Sequence, residues 1–231
     1  MSFIDLVKSC IKPLKGQCFF SASEVQADSK EVVVLIHGLI RRGSCFKALA
    51  RKIAKTNLPC YVYDYDTTLK HIAGHGIDFK EFLVNKVYKD YPNAKVNIVS
   101  HSLGGIVSRY AINALTEIEL QRINKVIMLG PPNQGSDIAS LVCKLLPWAK
   151  KIILPLEELC SGDDSTIKQV PVLKDFDIDL AIISGKYDWL VKKEYTFLEN
   201  ISYSKHVNSD HSFMMYNPIV QKEVINYLHQ K

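Results

Sequence analysis

Val32 to Ile36 is an unbroken run of β-branched and aliphatic residues that stops at His37-Gly38. A run without polar alternation predicts a strand buried on both faces. The period then changes. Phe46, Leu49, Ala50, Ile53 and Ala54 share one helical face, and Ser44 is placed to cap that helix. Pro59 to Tyr63 predicts a second strand, and Phe79, Phe82, Leu83 and Val87 a helix that stops before Pro92. Val96 to Val99 predicts a third strand. Leu103, Ile106, Val107, Tyr110, Ala111, Ala114 and Leu115 mark the helix after it. Lys125 to Leu129 and Leu180 to Ile183 predict two more strands, closed by Gly130-Pro131-Pro132 and Ser184-Gly185. His206 falls in a strand or at a sheet edge. Asn217-Pro218 opens a last helix, with Val220, Val224, Ile225 and Leu228 on one face.

Non-alternating strands separated by amphipathic helices imply a mostly parallel sheet covered by helices on both faces. The expected architecture is a three-layer α/β fold in a single domain over residues 1–231, since no Gly-, Ser- or Pro-rich linker divides the chain. Residues 138–172 break the alternation. They are apolar but irregular, then polar at Ser161-Gly162-Asp163-Asp164-Ser165. A helix with a surface loop, a short lid, or an acyl-chain wall beside the active site all fit. Phe3, Ile4, Leu6, Val7, Ile11 and Leu14 predict a short helix that packs on the body or touches a membrane surface.

Composition narrows the partners. The chain has 231 residues, 47% hydrophobic, enough for a sizeable core. The net charge of +5 is mild, and the basic residues come in pairs such as Arg41-Arg42 and Lys150-Lys151 without interleaved aromatics. Nucleic-acid binding is not expected. The six cysteines form no C-x-x-C pair, so free buried thiols are expected rather than a zinc site. The N-terminus lacks the order of parts of a signal peptide, and no window reaches membrane-spanning length. The expectation is a cytoplasmic protein.

Candidate chemistry gathers where strands end, because open parallel sheets place functional groups at their carboxyl edge. "VNIVSHSLGGIVSRY" runs from a strand through Ser102 into a helix. A nucleophilic serine needs a sharp turn, a base and preorganised N–H donors. Small neighbours Gly104 and Gly105 permit the turn, although Ser100 stands where a Gly-x-Ser-x-Gly elbow has glycine. The chain order Ser, Asp, His suits this sheet type. His211 lies in a polar turn before the last helix, and Asp188 lies just past a strand. Asp210 is the second candidate acid, but adjacent side chains in an extended turn point apart. The backbone N–H groups of Leu39 and Leu103 are the expected oxyanion donors, with Gly38 allowing close approach. His101 is expected to be structural and turned from the Ser102 hydroxyl. His71 and His75 are expected on a surface loop, and Gln134-Gly135-Ser136 to shape a turn beside the nucleophile.

Taken in order, "VVVLIHGLI", "VSHSLGGIVSRY", "LGPPNQGSDIA", "ISGKYDWLV" and "SDHSFMMYNP" resemble the α/β-hydrolase superfamily. The resemblance is closest to small bacterial lipase- and esterase-like serine hydrolases with a Pro-Pro-Asn-Gln-Gly-Ser motif and a His-Ser-Phe-Met-Met motif. It implies Ser102 as nucleophile, His211 as base and Asp188 as acid, although the family often has Asp-Gly where this chain has Asp188-Trp189. It also implies cleavage of a small-molecule or lipid ester, with no metal or organic cofactor. An acyltransferase or thioesterase would use the same three residues. A catalytically silent binding module of the same fold is the alternative outside enzymes.

Overall fold

The computed structural model describes residues 18–20, 28–162, 166–170, 173 and 177–230. The helix expected over Phe3 to Leu14 lies outside them, as do Asp163 to Ser165.

In chain order the elements are β1 (Cys18–Phe20), β2 (Glu31–Ile36), α1 (Lys47–Ala54), β3 (Cys60–Tyr63), α2 (Ile72–Phe82) and β4 (Lys95–His101). There follow α3 (Leu103–Asn113), α4 (Glu117–Leu120), β5 (Ile123–Leu129), α5 (Asp137–Leu145), α6 (Pro155–Glu158), α7 (Thr166–Gln169), β6 (Asp179–Gly185), β7 (Tyr203–Val207) and α8 (Pro218–Leu228). After α2 the helix widens to a π turn over Leu83–Val87 and resumes over Tyr88–Asp90.

The strands form one seven-stranded sheet in the order β1-β3-β2-β4-β5-β6-β7. Among the described residues only β1 runs antiparallel; every other pairing is parallel. Alternate residues of one strand feed opposite faces. Val32, Val34 and Ile36 join Ile98, Phe79 and Ile106 on the side of α2 and α3. Val33 and Leu35 join Leu49, Ile53, Val220 and Val224 on the side of α1 and α8. Both faces are thus apolar, which is why the strands read as continuous hydrophobic runs. This is the three-layer arrangement that the pattern predicts.

β1 and the early part of α2 go beyond the predicted elements, whereas β7 is the strand or sheet edge expected at His206. Ser44 does not cap α1. It lies inside a 3-10 turn, Gly43–Phe46, and the cap position is taken by Phe46 with no side-chain bond. His75 is not on a surface loop. It sits within α2 and is buried against Tyr65, with ring centroids 5.0 Å apart. Burial lowers its pKa to about 4. His71 is exposed, as expected, and immediately precedes the helix. Cys45 and Cys60 are free thiols and buried, and the partly buried Cys160 thiol lies 3.4 Å from the Sγ of buried Cys143. Among the described residues no helix is long and apolar enough to cross a membrane.

β3 and β4 flank β2 although the chain visits β2 first, so the connections from β2 and β4 leave in opposite directions. That reversal opens a crevice at the carboxyl edge of the sheet. The ends of β2 and β4 carry His37-Gly38-Leu39 and Ser102 into it.

Candidate active site

Ser102 follows β4 directly and has φ +52° and ψ −124°. That backbone is costly for a residue with a Cβ. It is held because the Ser102 N–H donates to Leu129 O at 2.9 Å and the Gly105 N–H donates to Ser102 O at 2.9 Å. The turn closes only because its neighbours are small. A Cβ on Gly104 would stand 2.7 Å from the carbonyl oxygens of Ile36 and His37. A Cβ on Gly38 would stand 2.8 Å from Ser102 Cβ.

The serine at position 100 is accommodated in the core. Ser100 is fully buried, and its hydroxyl faces Ile127 O at 3.4 Å. A Cβ on Gly105 would stand 3.0 Å from Pro131 Cβ and in ordinary contact, 3.5 Å, with Ser100 Oγ. Ser100→Gly is therefore expected to leave ester turnover broadly unchanged. It should cost about 0.5–1 kcal/mol of stability, because glycine in a strand interior loses more conformational freedom on folding. Urea unfolding and a rate assay on the same preparation check both halves.

His211 meets Ser102 from the far side of the crevice, in the turn between β7 and α8. Its Nε2 lies 2.9 Å from Ser102 Oγ, and its Nδ1 lies 2.7 Å from Asp188 Oδ2. Asp188 is anchored by its other oxygen, which accepts from Leu190 N–H at 3.1 Å and Val191 N–H at 2.7 Å. Its side chain is fully buried and that of His211 nearly so. Asp210 does not touch the imidazole among the described contacts. Its Oδ1 accepts from the Ser212 and Phe213 N–H groups and shapes the His211 turn.

Gly130 and Asp64 are supporting residues that sequence reasoning missed. Gly130 has φ +53°, and a Cβ there would stand 3.1 Å from Asp188 Oδ2 and 3.2 Å from His211 Nδ1. The Gly130-Pro131-Pro132 break after β5 is the signal that could have pointed to it. His101 is buried, and its Nε2 donates to the His211 carbonyl oxygen at 2.9 Å. Burial, then the neighbouring His211, holds its pKa well below the ordinary value. A neutral ring therefore props the His211 backbone. His37 Nε2 bonds Asp64 Oδ1 at 2.8 Å, and Tyr65 donates its hydroxyl to His37 O at 3.0 Å. Burial pushes the Asp64 carboxyl up, but the bonds from His37 and the Gly43 N–H outweigh it and hold the pKa below the usual range. These contacts brace the end of β2.

Leu39 and Ser102 line one pocket. Leu103 is the first residue of α3, where the N–H has no acceptor within the helix. The helix N-terminus adds partial positive charge at the same place. The pocket holds about 390 Å³. Its far wall is apolar, made of Ile138, Ala139 and Val142 on α5, Leu156 on α6, and Leu159. Residues 138–159 of the irregular segment thus contribute a wall of the pocket. Gln134-Gly135-Ser136 turns the chain into it. Gly135 has φ +94°, and Ser136 caps α5 by accepting from the Ala139 N–H at 3.3 Å.

A family model described as "PGAP1-like alpha/beta domain" matches residues 22–230. No curated protein sequence matches the chain. Among solved structures, the mature lipase BlEst2 of Bacillus licheniformis aligns with a TM-score of 0.70 at 19% identity, over 92% of this chain and 97% of that one. An esterase of Exiguobacterium antarcticum aligns with a TM-score of 0.67 at 15% identity, over 95% and 98%. Lipase B of Aspergillus fumigatus aligns at 0.69 and 14% identity, over 92% of this chain but 56% of its own length. At these identities the likeness is one of fold, and the fold is that of the α/β hydrolases.

Proposed function

Since the chain belongs to the PGAP1-like alpha/beta domain family, we propose that it is a serine hydrolase that cleaves carboxylic esters through an acyl-enzyme on Ser102. The observation that carries this reading is the relay from Ser102 Oγ through both nitrogens of His211 to Asp188, with links of 2.9 Å and 2.7 Å. A base in contact with a hydroxyl, and itself oriented by a buried carboxylate, is the arrangement that activates serine.

In the first half-reaction Ser102 Oγ bonds to the acyl carbon while its proton passes to His211 Nε2. The oxyanion is held by the N–H groups of Leu39 and Leu103. The bond to the leaving alcohol then breaks, and His211 returns the proton to that alcohol. In the second half-reaction His211 takes a proton from water, which attacks the acyl carbon. The carboxylic acid leaves and Ser102 regains its proton. Asp188 stays ionised, fixes the Nδ1–H tautomer and stabilises the imidazolium. The steps call on no group beyond these side chains, the backbone and water.

The apolar wall from Ile138 to Leu159 supports an apolar acyl group, lipid-like or otherwise. The test is a series of p-nitrophenyl esters of increasing acyl length, run with and without added alcohol. Turnover with free acid as product, best at an intermediate chain length, is the expected result. Accumulation of a new ester at the expense of acid would replace hydrolysis by acyl transfer. No turnover of any ester above buffer would sink both.

A further inference from the structure

Two residues past Leu39 the chain presents Arg41 to the same pocket. Arg41 is the only Lys, Arg, Asp or Glu among the described residues that line it. The others are apolar, apart from Ser102, Ser136, Ser212, His101 and His211. Arg41 is half-buried. Among the described residues, no hydrogen bond or ion pair engages its guanidinium. A residue that lines the pocket thus carries five N–H donors and a permanent charge with no partner among the described residues. Its charge is felt inside the site: it acts on buried His101, behind the effects of burial and of His211.

The backbone carrying Arg41 is held in place. Ile40 has φ +53°, an uncommon state for a β-branched residue. Its N–H donates to the hydroxyl of Thr67 at 2.9 Å, and Thr67 is buried. A strained turn fixed by a buried side chain is a device for placing a group, and it persists only where surrounding structure enforces it. The group that follows this turn is Arg41.

Resting on the hydrolase reading above, we propose that Arg41 is a specificity-determining residue. The pocket takes esters that combine an apolar acyl chain with a fixed negative charge, phosphate or carboxylate, close to the scissile bond. Guanidinium matches both anions through paired N–H bonds, and a half-dry site strengthens the attraction.

The test compares three esters with one acyl chain: neutral monooctanoylglycerol, octanoylglycerol phosphate and O-octanoyl lactate. The wild-type kcat/KM should be roughly tenfold higher for at least one anionic ester than for the neutral one. Arg41→Ala should lower that anionic-to-neutral ratio roughly tenfold, Arg41→Glu should lower it further, and Arg41→Lys should keep part of it. Raising the salt concentration should shrink the wild-type ratio. Which anionic ester gains tells phosphate from carboxylate. A fluorophosphonate label on Ser102 in each variant shows that the site is assembled. An unchanged ratio in Arg41→Ala, or equal losses on neutral and anionic esters, overturns the assignment while leaving the hydrolase reading intact. If the wild type turns over none of the three and Ser102 takes no label, the hydrolase reading fails and this proposal falls with it.

Discussion

Ser102→Ala is expected to reduce ester turnover by roughly 10⁴- to 10⁶-fold, to a rate set by binding and the oxyanion donors alone. The loss belongs to chemistry and not to folding. The turn is held by the backbone bonds Ser102 N–H to Leu129 O and Gly105 N–H to Ser102 O, and alanine keeps both. The Ser102 hydroxyl makes one side-chain contact in the described structure, to His211 Nε2. The thermal midpoint should therefore move by no more than about 2–4 °C, the shift that 1 kcal/mol produces in a domain of this size. Circular dichroism and a p-nitrophenyl ester assay on one preparation measure both. Retention of wild-type turnover would remove Ser102 from the chemistry.

The second large effect is at the acid. Asp188→Asn is expected to lower kcat by about 10³- to 10⁴-fold. The reason is how the carboxylate is held. Oδ1 accepts two backbone N–H bonds, from Leu190 and Val191, so an asparagine must put its oxygen there. Its NH₂ then faces His211 Nδ1, where Asp188 Oδ2 stood at 2.7 Å. An N–H pointing at Nδ1 forces that nitrogen to accept and moves the ring proton to Nε2. Nε2 is then unable to take the proton of Ser102. Asp210→Asn should cost far less, because the Asn oxygen still accepts from the Ser212 and Phe213 N–H groups that Oδ1 serves now. If the Asp210 variant lost its activity and the Asp188 variant kept it, the acid would be Asp210.

Much of this was legible because burial leaves a plain mark on sequence. Val32 to Ile36 faces core on both sides, so its pattern contains no polar interruption, and the one polar residue within Val96 to Val99, Asn97, is buried and donates to the Glu31 carboxylate. The chain order of Ser102, Asp188 and His211, each at the end of a strand or beside a polar turn, brought the three residues into view before their geometry. What stayed hidden has physical causes. The start of α2 reads as a loop because Gly74, His75 and Gly76 break the apolar face. Gly76 is there for contact: a Cβ on it would lie 2.4 Å from Tyr110 Cβ on α3, so the two helices meet backbone to side chain. β1 is three residues at the sheet edge, too short for a periodic signal. β7 alternates partly exposed and exposed positions up to Val207, so a strand or sheet edge at His206 was legible but its bounds were not. The wall role of residues 138–159 depends on where short helices fold back, which no local period encodes. Arg41 and Thr67 were invisible for a related reason. The bond that holds the turn before Arg41, from the Ile40 N–H to Thr67, crosses from the loop after β2 to the loop after β3, and the parallel pairing of those strands brings the loops together.

The most direct test of the account is covalent labelling. Folded wild-type protein is treated with a fluorophosphonate, and the adduct is located by peptide mass spectrometry. The account predicts a single adduct on Ser102 that disappears in heat-unfolded protein and is strongly slowed in His211→Ala. No adduct in the folded protein, or an adduct on a different serine, would contradict it.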